Sequence, residues 1–161
     1  MTRHAPVPEI NFEPEFIAEL TSIFEEKIAF NKLLGLKITR VAPERVAGRI
    51  DMKPELVGHY LYNRIHGGVV SATLDAMAGL AVMAAVGARH FHEPIAQRLQ
   101  RFAKLGTIDL RIDYLRPAIG DHFELRAEVL RLGSRVASTR MEFFGADGKL
   151  LSTGAGAYIV S

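Results

Sequence analysis

The 161-residue chain contains no cysteine. That absence excludes a disulfide framework, a thiolate zinc site and a cysteine nucleophile together. It fits a reducing compartment, and the expected location is cytoplasmic. Charge of one sign is also scarce, since the formal net charge is only +2. A nucleic-acid binder usually carries a stronger basic patch with a recognisable motif. The one basic stretch, Arg98, Arg101 and Lys104, reads either as a solvated loop or as cations waiting for an anionic ligand. The first eleven residues hold prolines and no apolar core run, so they do not read as a signal peptide. No internal repeat or low-complexity segment is present. What remains is length for one domain, residues 1–161, and 48% apolar residues, enough for a sizeable core.

Residues 67–88 are apolar except for Ser71, Thr73 and Asp75. This run is long enough for a membrane span. An aspartate within a membrane is expensive, however, and the segments after it read as half-buried strands. A helix apolar nearly all round also suits the core of a globular protein, and that is the expectation.

Around this run the periodicity changes. Residues 12–30 follow helical spacing through Phe16, Leu20, Ile23 and Phe24, with Asn11 as a cap and Pro14 in the first turn. A helical extension over 12–32 precedes the rest, and Gly35 punctuates it. Residues 36–41 and 46–52 read as strands, the second by strict alternation of Val46, Gly48, Ile50 and Met52 with Ala47, Arg49 and Asp51. Residues 54–65 and 89–104 read as irregular loops. Four more strands follow, with Ile108, Leu110, Ile112 and Tyr114 forming the apolar face of the first. A turn at Gly133-Ser134 and another at Ala146-Asp147-Gly148 join the later ones. Short turns imply an antiparallel sheet, and the apolar helix is the long element available to cover it. The class is therefore α+β.

The stretch from His66 to Gly79 carries the chemistry. Gly67 and Gly68 stand at the start of the apolar helix, where backbone N–H groups lack intrahelical partners and negative charge is favoured. Such amides either form a plain loop-to-helix junction or serve as an oxyanion hole. Asp75 is the only ionisable residue between positions 67 and 88. A lone carboxylate in apolar surroundings suits a general base, or else it is a structural group with an unseen partner. Ser71, Ala72, Ala78 and Gly79 lie on its side of the helix and leave room for a substrate or a second chain.

His66-Gly67-Gly68 with Asp75 nine positions after the histidine resembles the hotdog-fold acyl-CoA thioesterases of the phenylacetyl-CoA thioesterase (PaaI-like) type. The run Gly106-Thr107 through Tyr114-Leu115-Arg116-Pro117 to Gly120-Asp121 is similar to the same family's strand, and Gly133-Ser134-Arg135 to its next hairpin. The resemblance covers roughly residues 33–160 and points to the YigI-like branch. It implies a hotdog fold, in which an antiparallel sheet wraps one long central helix, here with an extra N-terminal helix. It implies hydrolysis of acyl-CoA thioesters, of medium to long fatty chains, with coenzyme A as part of the substrate and no cofactor or metal. Asp75 corresponds to the general base or nucleophile, the Gly67 amide to the group that polarises the carbonyl, Thr107 to the hydroxyl that holds the water, and His66 to an orienting group. Gly68, Asn63, Ser71, Arg116 and Arg135 are the candidates for substrate contact, the arginines toward coenzyme A phosphates. The resemblance further implies a homodimer or dimer of dimers, with Asp75 and Thr107 facing the partner's His66 and Gly67.

One position departs from the family pattern. Many members carry an Asn six residues before the histidine, where this chain has Tyr60; its Asn is Asn63. Two other functions compete. Asn63 through His66 faintly resembles the Asn-x-x-His of hotdog hydratases and dehydratases, but Leu61 stands where those carry an acid. A non-catalytic acyl-CoA-binding protein is the other; hotdog sensors of that kind that act on transcription carry a DNA-binding helix-turn-helix, and this chain has one helix ahead of the fold. His90 and His92 read as surface residues, because no third ligand has metal-like spacing.

Overall fold

The alternating segments form one antiparallel sheet, and the apolar run forms the helix that the sheet wraps. The computed structural model describes residues 10–161; most of the stretch read as lacking a signal peptide, residues 1–9, lies outside them. In chain order the elements are α1 (Pro14–Ser22), a π-helical turn (Ile23–Lys27), α2 (Ala29–Leu34), β1 (Lys37–Val41), β2 (Val46–Asp51), β3 (Val57–His59), β4 (Arg64–Ile65), α3 (Gly67–Arg89), α4 (Ile95–Gln100), β5 (Gly106–Tyr114), β6 (His122–Leu132), β7 (Val136–Gly145) and β8 (Leu150–Ile159). The main sheet has the order β1-β2-β6-β7-β8-β5, with every neighbouring pair antiparallel. This is the hotdog fold.

Helix α3 is long and apolar enough to cross a membrane by length and composition. Yet 67% of its apolar window is buried inside the protein. Leu74, Met77, Leu80, Val82 and Met83 are at most 1% exposed, against Ile50, Phe123, Leu125, Met141 and Phe143 of the sheet. Burial of one such side chain contributes about 1.5–3 kcal/mol, so α3 is the centre of the core.

Four local expectations change. The N-terminal helix is not continuous: the Ile28 N–H bonds to the Ile23 carbonyl, and Ile28 itself is extended. Tertiary contacts select this break. Buried Asn31 donates from Nδ2 to the Phe24 carbonyl at 3.0 Å, and Glu25 accepts the Ile38 N–H at 2.7 Å. The loop at 54–65 contains the β3–β4 ribbon, and the loop at 89–104 contains α4. Both elements are too short for periodicity to reveal. Of the basic stretch, Lys104 is exposed, but the two arginines are engaged within the fold. Arg98 is 1% exposed, stacks 4.5 Å over the Phe16 ring and donates to Glu13 at 2.6 Å, while Arg101 donates to Glu93 at 2.9 Å.

The fourth change concerns β5. Its apolar face does not run from Ile108, which is 57% exposed. A bulge falls there: Thr107 pairs with Tyr158 and Asp109 with Ala157, leaving Ile108 extra. A bulge inserts one residue and shifts the alternation by one. Thr107 therefore joins Leu110 and Ile112 on the side of the sheet that meets α3.

Candidate active site

Asp75 sits on α3 where the helix meets the start of β5 and the end of β8. It is half-buried and not unpaired, which corrects the reading of a lone buried carboxylate. Thr107 Oγ1 donates to Asp75 Oδ1 at 2.9 Å, and the Tyr158 hydroxyl donates to the same oxygen at 2.8 Å. Both donors fall on Oδ1, which leaves Oδ2 without a protein donor among the described residues. The carboxylate is thus held in one orientation, with one free oxygen. Burial, and then the Asp75 charge, push the Tyr158 hydroxyl well above the usual phenol range. It stays protonated and remains a donor.

Thr107 owes its direction to the bulge. Tyr158 owes its place to Gly156, where a Cβ would lie 2.8 Å from the Tyr158 ring and 3.1 Å from its hydroxyl. Sequence reasoning gave Tyr158 no role. The available signal was a tyrosine on the inward phase of the last strand, since a buried phenol seeks a polar partner.

At the start of α3 the His66 Nδ1 accepts the Gly68 N–H at 2.8 Å and caps the helix. Acceptance at Nδ1 puts the proton of the neutral ring on Nε2. The Gly68 amide is thereby occupied. The Gly67 amide, first in the helix, has no intrahelical acceptor. Tyr114 packs beside it: a Cβ on Gly67 would lie 3.3 Å from the Tyr114 ring, and the Tyr114 hydroxyl donates to the Gly67 carbonyl at 2.8 Å. Gly67, Arg64, Tyr114 and Arg116 share a cavity of about 430 Å³. Arg116 is braced there, donating to the Leu150 carbonyl at 2.8 Å.

The remaining candidates scatter. Ser71 Oγ donates back to the Gly68 carbonyl at 3.1 Å, within its own helix. Asn63 adopts a left-handed conformation and lines a separate cavity with Lys53, Tyr60 and Asp121. Tyr60, in place of the family Asn, is 84% exposed. Arg135 lies at the far end of the sheet from Arg116, beside the Val136–Ile159 pairing. His90 faces Glu93 at 2.9 Å. Within one chain, Gly67 and Asp75 are eight residues apart on a helix, about 12 Å at 1.5 Å per residue.

A sequence model of the Thioesterase superfamily matches residues 62–152, which span the capped helix start, Asp75 and Thr107. The chain belongs to the thioesterase superfamily. Similar proteins include the medium/long-chain acyl-CoA thioesterase YigI of Salmonella typhimurium, 33% identical, covering 86% of this chain and 89% of that one. YigI of Escherichia coli matches to the same extent. A crystal structure of a protein related to the thioesterase superfamily from Shewanella oneidensis superposes with a TM-score of 0.86 at 37% identity, covering 93% of this chain and all of that one. Mouse thioesterase superfamily member 2 shares the fold, with a TM-score of 0.71 at 20% identity. As a member of this superfamily the protein is a thioester hydrolase.

Proposed function

We infer that the protein hydrolyses acyl-CoA thioesters of medium to long fatty chains, giving the free acid and coenzyme A. The observation that carries the mechanism is the Asp75 carboxylate held through one oxygen by Thr107 and Tyr158. Its other oxygen takes a proton from water as the water oxygen attacks the thioester carbonyl carbon. The carbonyl oxygen gains the negative charge, and a Gly67 N–H at a helix start stabilises it. Collapse of that intermediate breaks the C–S bond, and the departing thiolate receives the proton from Asp75. Attack by Asp75 itself, through an anhydride, uses the same geometry. In single turnover in heavy-oxygen water, label in the Asp75 carboxylate identifies the nucleophile route, since the general-base route puts label only in the product acid.

The base and the amide cannot serve one carbonyl from about 12 Å apart, because each must lie about 3 Å from the reacting atoms. The site therefore calls for a second copy, in a homodimer or dimer of dimers, with Asp75 and Thr107 of one chain opposite His66 and Gly67 of the other. Exposed apolar residues on and after the edge strand β5, among them Ile108, Tyr114 and Leu115 at 50–57%, support such an interface. Arg64 and Arg116, beside Gly67, suit the phosphates of coenzyme A.

The test is a thiol-release assay across straight-chain acyl-CoA lengths with an aryl-CoA included, run with light scattering at the assay concentration. Turnover that peaks on fatty chains and vanishes when the oligomer dissociates is expected. No release from any acyl-CoA overturns the substrate class, and full activity as a monomer overturns the shared site.

A further inference from the structure

Asp75 opens into a cavity of about 280 Å³ between α3 and the N-terminal extension. Its polar groups, Asp75, Thr107 and Tyr158, stand together on one wall. The Asn31 amide is turned away to the Phe24 carbonyl. The rest of the lining is apolar, with Phe24, Phe102, Leu105 and Gly79 at its core. Phe24 and Phe102 meet edge to face with centroids 5.9 Å apart. Gly79 faces them from α3: a Cβ built there would lie 3.5 Å from Leu105 Cδ2 and 3.6 Å from Phe24 Cε1. These are ordinary contact distances. One methyl at position 79 fits without strain and fills the gap between helix and rings.

The π-helical turn decides where Phe24 sits, because it lets the extension bend so that Phe24 and Ile28 both reach this cavity. The segment lies ahead of the residues that carry the superfamily's pattern, which begin at residue 62. The reactive carbonyl must stand at Asp75, so the first carbons of the acyl chain have an apolar channel directly beside them.

We propose that this cavity holds the acyl chain and that Gly79, facing the Phe24–Phe102 pair, sets how long a chain the protein accepts. The inference rests on the acyl-CoA reading above. The extension is then part of the substrate site: its Phe24 ring forms the floor together with Phe102, and the missing side chain at Gly79 provides the depth. A methylene that gains or loses a pocket changes kcat/KM by about tenfold or more, so small changes of depth are measurable.

The experiment compares kcat/KM for dodecanoyl-CoA and butanoyl-CoA in the full chain, as a ratio measured on each purified variant. The ratio cancels differences in folded fraction. Gly79→Ala and Gly79→Val lower the ratio in that order, Val by about tenfold or more. Phe102→Ala, at a partly buried ring, opens the floor and raises it for chains longer than the wild-type optimum. Gly79→Ala serves if the valine variant folds poorly, since alanine favours a helix. Wild-type turnover with an unchanged ratio in all variants overturns the depth assignment and leaves the acyl-CoA reading intact. A wild type inactive on every acyl-CoA overturns both.

Discussion

The two halves of α3 are built from nearly the same residues and do opposite things. From Leu80 to Ala84 every side chain is buried, and a Cβ on Gly87 would lie 2.3 Å from the Phe16 ring. That half is closed by α1, which is fastened by Arg98 stacked on Phe16 and bonded to Glu13. From Gly67 to Gly79 only one side is closed: Leu74 and Met77 enter the core, while Gly67, Val70, Ala72, Ala76 and Gly79 line cavities with the one carboxylate among them. The π-helical turn lies at the change, and it sets Phe24 opposite Gly79. Apolar composition therefore does not separate a core from a binding wall. What lies opposite does.

Asp75→Asn is the largest expected effect and tests the open half. Loss of a general base lowers kcat by roughly 10²–10⁴-fold. The amide keeps an oxygen that accepts from Thr107 and Tyr158, so the melting temperature should change little. Activity retained in a destabilised protein, measured on one sample, would make Asp75 structural.

Leu80→Ala probes the closed half. At 0% exposure this side chain leaves a cavity, and stability falls by about 2–5 kcal/mol. Urea unfolding reads that loss, while turnover per folded molecule stays near wild type. A kcat loss at full folding would mean that the two halves are not separable.

Thr107→Val and Tyr158→Phe each remove one donor from Asp75 Oδ1. Each lowers kcat roughly tenfold, the worth of a hydrogen bond to a charged group. Thr107→Ser is mild. The double variant is more than additive if both hydroxyls hold the same carboxylate. Purely additive losses would break the shared-oxygen geometry.

The smallest effect concerns the fastening of α1. The Arg98 hydrogen bond holds the Glu13 carboxyl below its ordinary value of 4.5. A carboxyl lowered in the folded state contributes stability that is present above the unfolded value and is lost as pH falls through the folded one. Glu13→Gln should thus lower the melting temperature by a few degrees near neutrality. The gap to wild type should shrink below about pH 4.5. A gap independent of pH would remove the carboxylate from the account.

Much of this arrangement is legible in the residue order. Alternation at 46–52, the Asp147-Gly148 turn and the run after His66 follow local rules, and they locate the strands, a hairpin and the central helix. The His66–Gly68 cap is a two-residue interaction, so its place was readable too. Asp75 announced itself by being the only charge in its run. Its partners did not, because Tyr158 is 83 positions away and reaches it only once β8 pairs with β5. The inward turn of Thr107 needed the bulge at Ile108, and a bulge is a mismatch between two strands, invisible in either alone. Arg98 read as a surface cation because nothing nearby in sequence foretold a helix 85 positions back carrying Glu13.

The sequence by itself determined the antiparallel sheet, the buried helix and its glycine-marked start, since each depends on periodicity or on residues a few positions apart, and the resemblance of its motifs pointed to the superfamily. Only the tertiary structure decided which oxygen of Asp75 is held, which half of α3 is left open, and that the N-terminal extension walls the cavity. Those features are set by contacts between distant segments, where a shift of one residue or one ring changes what a side chain meets.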